Sequence, residues 1–144
     1  MGDISVVIVN FNSGQFLEAC IETVSASDCT HEIIVVDNGS TDTSTLFLEQ
    51  KFSNRELLTL IKNDRNLGFS AAVNQGATIS SSEYILFINP DCLIFPHTAR
   101  ALRETIAEDD SIGVIGGLIF NFDGSEQPGC RRREPTLTRT ARKA

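Results

Sequence analysis

The sequence lacks any apolar run long enough to cross a membrane. Its longest apolar segments are about five or six residues, whereas a bilayer span needs about 20. The first residues, Met-Gly-Asp-Ile, also lack the charged start and long apolar core of a signal peptide. Low-complexity tracts are absent, and hydrophobic residues make up 41% of the 144 residues. The sequence therefore predicts a folded cytoplasmic protein of a length that fits one compact domain.

Cysteine is sparse and widely spaced. The four cysteines include no C-x-x-C pair, and the chain has only two histidines. This spacing favours neither a zinc site nor a disulfide framework. We expect free thiols at Cys20, Cys29, Cys92 and Cys130.

Basic residues are scarce in most of the chain. Residues 1–127 contain 18 acidic and six basic residues, whereas residues 128–144 contain one acidic and six basic residues. An acidic body would repel a phosphate backbone, which argues against nucleic acid as a partner. The basic cluster at residues 131–133 is interpreted as a solvated chain end, with contact to phosphates or to a membrane surface as the alternative.

Short apolar runs rich in Ile and Val recur along the chain. They show little polar alternation, which is typical of strands covered on both faces of a parallel sheet. The predicted strands are residues 4–9, 32–36, 57–61, 84–88 and 112–120. Segments with helical spacing lie between them, and the last of these, residues 98–107, begins just after Pro96. This alternation predicts an α/β fold with a doubly wound, mostly parallel sheet and helices on both faces.

Polar loops follow the first four predicted strands. Ligands of an open parallel sheet bind beyond the carboxyl ends of its strands, so these loops predict a binding site at one edge of the sheet. The loops are residues 10–14, 37–42, 63–68 and 89–91, and all are rich in Asn, Asp or Gly. Each loop alone also fits a turn or a helix cap, and Asp91 alone fits a cap. Asn and Asp at four successive strand ends favour the ligand interpretation.

Two common nucleotide-binding motifs are missing. Where a dinucleotide fold carries G-x-G-x-x-G, the first loop has Gly14 alone, although Asp37 fits the acidic residue after the second strand. The absence of G-x-x-x-x-G-K-[ST] excludes a P-loop. A diphosphate is then expected to bind through a divalent ion held by a carboxylate, and Asp91 is the predicted ligand.

Four segments, in this order and spacing, resemble the nucleotide-binding part of the inverting family 2 glycosyltransferases, particularly the rhamnosyltransferase-like members from bacteria. The segments are SVVIVNFNSGQFLEACIETV, EIIVVDNGSTD, NDRNLGFSAAVNQGA and YILFINPDCLI. The resemblance covers about residues 4–135, and the combination of motifs makes it specific. It implies a GT-A fold and a nucleotide-diphosphate sugar donor, linked to UDP or dTDP, that is used in polysaccharide or lipid-linked glycan assembly.

The resemblance also assigns residues to a nucleotide site. Asn10 and Phe11 would line the base pocket, and Asp37 would hydrogen-bond the pyrimidine or its ribose. The segment that closes over the nucleoside in this family is matched by Asn66, Gly68 and Asn74.

The metal site follows from the same resemblance. Asn89 and Asp91 stand in the place of the family's metal-binding D-x-D motif, and both are assigned to the nucleotide site. Because Asn89 replaces the first acid, Asp91 alone is predicted to bind Mg²⁺ or Mn²⁺.

The family's chemistry is transfer with inversion. An acceptor hydroxyl attacks the anomeric carbon opposite the diphosphate, a metal ion neutralises the leaving group, and a carboxylate removes the proton. That base lies in the family's acceptor-binding half, beyond the region matched here, so no catalytic residue is predicted. The acidic cluster at residues 108–110 is interpreted as an exposed helix end.

The predicted organisation is a nucleotide-sugar-binding GT-A core at residues 1–122 and a basic segment at residues 123–144 that leads toward a missing acceptor-binding half. We expect a donor-binding domain with weak or no transfer activity of its own. Its acceptor would be a glycan or a lipid-linked glycan, at the inner face of the membrane with peripheral association. A missing half would leave apolar surface uncovered and favour a homo-oligomer.

Two other functions stay open from the residues. One is a non-catalytic nucleotide-binding or interaction domain of the same fold. The other is a nicotinamide-dependent oxidoreductase, which the missing glycine fingerprint disfavours.

Overall fold

A computed structural model describes residues 4–51, 57–128 and 130 of the chain. Four strands and four helices alternate within this part. The strands are β1 (Ile4–Asn10), β2 (Thr30–Asp37), β3 (Leu58–Lys62) and β4 (Tyr84–Ile88). The helices are α1 (Phe16–Ser25), α2 (Leu46–Lys51), α3 (Phe69–Ile79) and α4 (Thr98–Ile106).

The four strands form one parallel sheet in the order β3-β2-β1-β4. The chain moves outward from β1 to β3 and then returns to the other side of β1. Right-handed crossovers place the helices of the two directions on opposite faces of such a sheet. The predicted doubly wound architecture is confirmed, and its strand order reverses between β1 and β4.

One face of the sheet is covered by α1, α2 and α4. The buried side chains of α1 recur at helical spacing and pack against β1 and β2. They are Leu17, Cys20, Ile21 and Val24. Leu48 of α2 and Ala99 of α4 complete this core. Fully burying an aliphatic side chain contributes about 1.5–3 kcal/mol, so this face supplies much of the stabilisation.

The opposite face is covered by α3, which approaches β1 closely. Ala72 and Gly76 are its buried residues. A Cβ atom added at Gly76 would lie 2.4 Å from Cγ1 of Val7. The sequence therefore lets α3 approach β1 closely by omitting a side chain at this contact.

The predicted fifth strand, residues 112–120, is wrong. Within the described residues this segment forms no ladder, and its one β-bridge is an isolated antiparallel pair of Phe120 with Glu126. Three of its nine residues are Gly113, Gly116 and Gly117. Glycine lacks a side chain to pack and loses most backbone entropy on ordering, so apolar composition alone does not make a strand here.

The chain divides into two compact units, Met1–Gly113 and Val114–Ala144. The first unit contains the sheet and its helices. In the second, a tight turn is closed by hydrogen bonds from Asn121 N to Ser125 O at 2.8 Å and from Gln127 N to Ile119 O at 2.8 Å. The functional boundary after residue 122 remains a prediction. The basic cluster of the predicted C-terminal segment, residues 131–133, lies outside the described residues.

None of the helices in the described part of the chain is both long and apolar enough to cross a membrane.

Candidate functional site

The loops after the four strands leave the sheet at the same edge because the strands are parallel. Backbone hydrogen bonds join the first three strand ends: Asn38 N donates to Asn10 O at 2.8 Å, and Asn63 N donates to Asp37 O at 2.9 Å. In the register of the sheet, Asn10 pairs with Asp37, and Ile8 pairs with Ile88. The predicted residues at the ends of β1, β2 and β4 are therefore brought to one edge.

Asp37 ends β2 as a nearly buried carboxylate, with 6% of its surface exposed. Its Oδ1 atom accepts a hydrogen bond from Nδ2 of Asn10 at 2.9 Å. Asn10 is fully buried, and the two hydrogens of its Nδ2 are shared between Asp37 and two serines, Oγ of Ser44 at 2.8 Å and Oγ of Ser40 at 3.1 Å. Ser13 donates to Oδ1 of Asn10. Asn10 thus fixes the Asp37 carboxylate instead of presenting its own amide to solvent.

The loop after β1 is tied to the loop after β2. Asn12 has a positive φ of 53°, and its Oδ1 accepts from Thr41 N at 2.8 Å and Asp42 N at 3.2 Å. Gly14 N donates to Oδ2 of Asp42 at 2.9 Å. Hydrogen bonds from Ser44 lower the pKa of Asp42. Dinucleotide folds bind pyrophosphate with backbone N–H groups of the loop after β1. Here the Asp42 carboxylate occupies the Gly14 N–H of that loop, which further disfavours a nicotinamide-dependent oxidoreductase.

Asn38, the residue after Asp37, is 2% exposed and uses its whole amide. Its Nδ2 donates to Oδ1 of Asn66 at 2.9 Å and to Gly68 O at 3.3 Å. Its Oδ1 accepts from Leu67 N at 2.9 Å and from Nδ2 of Asn63 at 3.2 Å. A side-chain amide has two donors and two acceptor sites, so all four are filled by the protein.

The hydrogen bonds of Asn38 extend to helix α3. Nδ2 of Asn63 donates to Oε1 of Gln75 at 2.8 Å, and Nε2 of Gln75 donates back to Oδ1 of Asn63 at 3.0 Å. Oδ1 of Asn66 accepts from Gly68 N at 2.8 Å as well as from Asn38. We call Asn38, Asn63, Asn66 and Gln75 the amide network. Because the Asn66 oxygen is occupied, a ligand would meet the Nδ2 donor of Asn66.

Gly39 lets the loop after β2 pack on the loop after β3. Its φ is +79°, and an added Cβ would lie 2.6 Å from the carbonyl carbon of Arg65. Both the left-handed conformation and the close approach require glycine at this position. The two loops are therefore packed together as well as hydrogen-bonded.

The loop after β4 carries Asn89 and Asp91, both exposed. Sγ of Cys20 lies 3.7 Å from Asn89 O, and Ile94 N donates to Oγ1 of Thr23 at 3.3 Å. Burial raises the pKa of Cys20 to about 12, so it stays a neutral thiol that can donate. These contacts lay the loop along α1.

The far end of this loop is fixed by one ion pair and one hydrogen bond to Asp28. Oδ2 of Asp28 lies 2.9 Å from Nδ1 of His97 and 2.5 Å from Nη2 of Arg100. The hydrogen bond from His97, with the charge of Arg100, lowers the pKa of Asp28. We call Asp28, His97 and Arg100 the α4 anchor.

The surroundings of Asp91 decide whether a metal fits. Among the described residues, no group of three or more His, Cys, Asp or Glu side chains could hold a metal ion. Asp91 is a single exposed carboxylate, and Sγ of Cys92 lies 3.8 Å from its Oδ1. Mg²⁺ and related ions are commonly held by one or two carboxylates together with substrate phosphates and water. The donor set thus fits an ion that arrives with a diphosphate.

The remaining predicted residues are exposed near these loops. Phe11 follows β1 and is 48% exposed, whereas Asn74 lies exposed on α3 beside Gln75. Several side chains that fix the site were not among the predicted site residues. They are Asn12, Asn38, Ser40, Asp42, Ser44, Asn63 and Gln75. The signal for Asn38 and Asn63 was present, since each directly follows a predicted strand, but the partner of a helical Gln75 depends on how α3 is rotated.

Comparison with known proteins agrees with the fold and the family. The model of the family described as "Glycosyl transferase family 2" matches residues 5–143. GlyG, a glycosyltransferase of Streptococcus pneumoniae serotype 4, is 29% identical over 124 residues, which are 85% of this chain and 41% of GlyG. The N-acetylglucosaminyl-diphospho-decaprenol L-rhamnosyltransferase of Mycobacterium tuberculosis is 29% identical over 148 residues, covering 93% of this chain and 46% of that protein.

A solved structure shares the fold. The mannosyltransferase PcManGT from Pyrobaculum calidifontis, solved in complex with GDP-Man and Mn²⁺, superimposes with a TM-score of 0.70 at 21% identity. The match covers 78% of this chain and 36% of PcManGT. The chain thus spans less than half the length of each of these three proteins. It has the GT-A fold and belongs to glycosyltransferase family 2.

Proposed function

We propose that the chain is the donor-binding domain of an inverting glycosyltransferase. In this proposal a nucleotide-diphosphate sugar binds at the carboxyl edge of the sheet, and its sugar is transferred to an acceptor hydroxyl. The observation that carries the proposal is the Asp37 carboxylate, which Asn10 holds at the end of β2 with 6% of its surface exposed. The adjacent strand, β1, borders the point where the strand order reverses, which is where open α/β sheets bind ligands.

The nucleoside would be bound by residues from three loops. The Asp37 carboxylate can accept hydrogen bonds from a base N–H or from ribose hydroxyls. Phe11 offers an exposed ring to one face of a base. Asn66, Gly68 and Asn74 would close over the nucleoside, with the free donor of Asn66 directed at a ligand oxygen. Asn10 would act through Asp37, because its own amide is buried.

The diphosphate would be bound with a divalent metal at Asp91. Such an ion supplies charge neutralisation at the leaving group. Asp91 would supply the carboxylate ligand, while Asn89 would contribute no charge. The Mn²⁺ in the PcManGT complex supports this choice of ion.

The acceptor would be a glycan or a lipid-linked glycan at the cytoplasmic face of a membrane. The name of the mycobacterial relative, which specifies a decaprenol-linked acceptor, supports this class. No catalytic base is assigned. In the acidic cluster after α4, Asp109 accepts a hydrogen bond from Ser111 N at 2.9 Å. This local contact is typical of a turn that follows a helix.

Calorimetric titration with UDP, dTDP and GDP, each with and without Mn²⁺, tests the proposal. We expect one of them to bind more tightly with Mn²⁺ and Asp91→Ala to abolish that gain. Glu32→Gln is the control, because Glu32 accepts hydrogen bonds from Ser5 and Ser81, on β1 and in the turn after α3, away from the loops of the site. Equal affinity with and without metal would remove Asp91 from its role, and no binding at all would refute the proposal.

A further inference from the structure

We propose that Asn38 is a positioning residue for nucleotide binding. It holds the turn at residues 66–68 in the place where the turn closes over a nucleoside, and it does so without touching the nucleotide. This inference rests on the function proposed above, in which Asn66 and Gly68 contact the nucleoside.

The hydrogen bonds of Asn38 are concentrated on this turn. Three of its four go to the three successive residues: Nδ2 to the Asn66 side chain, Oδ1 to the Leu67 amide, and Nδ2 to the Gly68 carbonyl. Asn38 itself is 2% exposed, whereas Leu67 is 42% exposed and its two neighbours are exposed as well. The turn therefore presents its outer side to solvent while a buried amide fixes its inner side.

The rest of the amide network connects Asn38 to helix α3. Nδ2 of Asn63 donates to Oδ1 of Asn38, and Asn63 is itself held by two hydrogen bonds to Gln75 of α3. Because Leu67 N can only donate and the Gly68 carbonyl can only accept, these two backbone groups fix which end of the Asn38 amide is the oxygen and which is the NH₂ group. The turn is thus connected through Asn38 and Asn63 to α3, the helix that begins directly after it.

Asn38→Asp tests this role selectively because Asp has the same shape. The carboxylate keeps both accepted hydrogen bonds, from Leu67 N and from Asn63. It cannot donate, so one carboxylate oxygen would face Oδ1 of Asn66 and the carbonyl of Gly68. Acceptors that face each other without a donor are unfavourable, so we expect the turn to be released and nucleotide affinity to fall about tenfold or more.

The first measurement is calorimetric titration with UDP plus Mn²⁺ and with UMP without metal, and with the dTDP/TMP and GDP/GMP pairs likewise. The turn would contact the nucleoside, so Asn38→Asp is expected to weaken diphosphate and monophosphate binding by the same factor. Asp91→Ala is expected to weaken only the metal-dependent binding. A general loss of folding would not produce this division between the two variants.

Asn63→Asp is the matched control, because it adds the same charge within the amide network. It removes the hydrogen bonds that Asn63 donates to Asn38 and Gln75, but it keeps the bond accepted from Gln75 and all three bonds between Asn38 and the turn. We expect a smaller loss of affinity than for Asn38→Asp. Equal losses in the two variants would overturn the inference, since added charge alone would then explain them.

Hydrogen exchange at the turn provides a readout that is independent of nucleotide. The Leu67 amide donates to Asn38, and the Gly68 amide donates to Asn66. Asn38→Asp keeps the acceptor of Leu67 but loses its bond to Asn66, so hydrogen exchange should become faster mainly at Gly68. Exchange of the β1 amides should be unchanged. If the wild-type chain binds nucleotide and Asn38→Asp binds equally well, or exchange at the turn is unchanged, the inference fails alone. A wild-type chain that binds none of the nucleotides overturns the proposed function and this inference with it.

Discussion

At the scale of single residues, buried asparagines at the strand ends fix the positions of other residues of the site through hydrogen bonds. Asn10 and Asn38 lie next to each other across two strand ends, and each donates two or more hydrogen bonds through one NH₂ group. Both are almost completely buried. An Asn of this kind cannot be recognised from its type or its neighbours in the chain, because the groups that accept from its NH₂ are 27 or more residues away in sequence. The sequence therefore predicts the loops of the site but not which of their residues act through others.

Asp37→Asn should show what the carboxylate contributes. The amide oxygen can still accept from Asn10, so the fold of the loop should be preserved while the negative charge is lost. A hydrogen bond to a charged group contributes about 1.5–3 kcal/mol, so we expect nucleotide affinity to fall about tenfold or more, with and without Mn²⁺.

Calorimetric titration beside Glu32→Gln measures this loss. Unchanged affinity in Asp37→Asn would show that the nucleoside does not contact this carboxylate. Thermal unfolding of the same samples checks that the loop is preserved.

At the scale of elements, the apolar runs located the strands well. The predicted strands at residues 4–9, 32–36, 57–61 and 84–88 all lie within two residues of the observed bounds, because continuous apolar sequence is typical of parallel strands. Only β1 and β2 are largely buried, whereas β3 and β4, at the edges of the sheet, are partly exposed. The same rule was wrong for residues 112–120. A strand needs a partner as well as composition, and pairing is decided by segments distant in sequence.

The contact of α3 with β1 predicts a large effect of one methyl group. Gly76→Ala would place a Cβ 2.4 Å from Cγ1 of Val7, so either Val7 must leave its rotamer or α3 must move away from β1. Overpacking of this kind costs about 1–3 kcal/mol. Gly113→Ala is the matched control, since nothing lies within 4 Å of its added Cβ. Urea unfolding should show a lower midpoint for Gly76→Ala alone, and equal midpoints for the two variants would contradict the packing.

The α4 anchor predicts a dependence of stability on pH. The pKa of Asp28 is lowered in the folded state, first by its hydrogen bond to His97 and then by Arg100. A lowered carboxyl pKa stabilises the fold above the unfolded value of 3.8, and this contribution is lost as the pH falls through the folded-state value. Asp28→Asn should therefore be less stable than wild type at pH 7, and the difference should shrink below about pH 4.

Chemical denaturation of both proteins from pH 7 to about pH 3 measures this difference. Asp109→Asn is the comparison: hydrogen bonds from Ser111 lower the pKa of its carboxyl, so its stability difference should follow pH in the same direction without any contribution from the anchor. A difference that stays constant with pH would show that the Asp28 charge does not contribute.

At the scale of the whole molecule, β4 is an edge strand of the described sheet and carries an exposed Phe87, 47% accessible. Unpaired edges with apolar side chains favour association between chains. We expect the chain to self-associate with rising concentration and Phe87→Lys to return it to a monomer. Sedimentation velocity at several concentrations is the measurement. Phe122→Lys is the control, because Phe122 is fully exposed and lies outside the strands, and a wild-type monomer at every concentration would contradict the prediction.

The buried Asn10 has a consequence for the thermodynamics of binding. Its hydrogen bonds to Asp37, Ser40 and Ser44 are all made within the protein, so the carboxylate is preorganised. Immobilising a side chain on binding costs about 0.5–1.5 kcal/mol. A ligand that binds to Asp37 avoids this entropy loss, because the side chain is already held in one rotamer. Loosening Asn10 should therefore appear as a less favourable binding entropy more than as a lost contact.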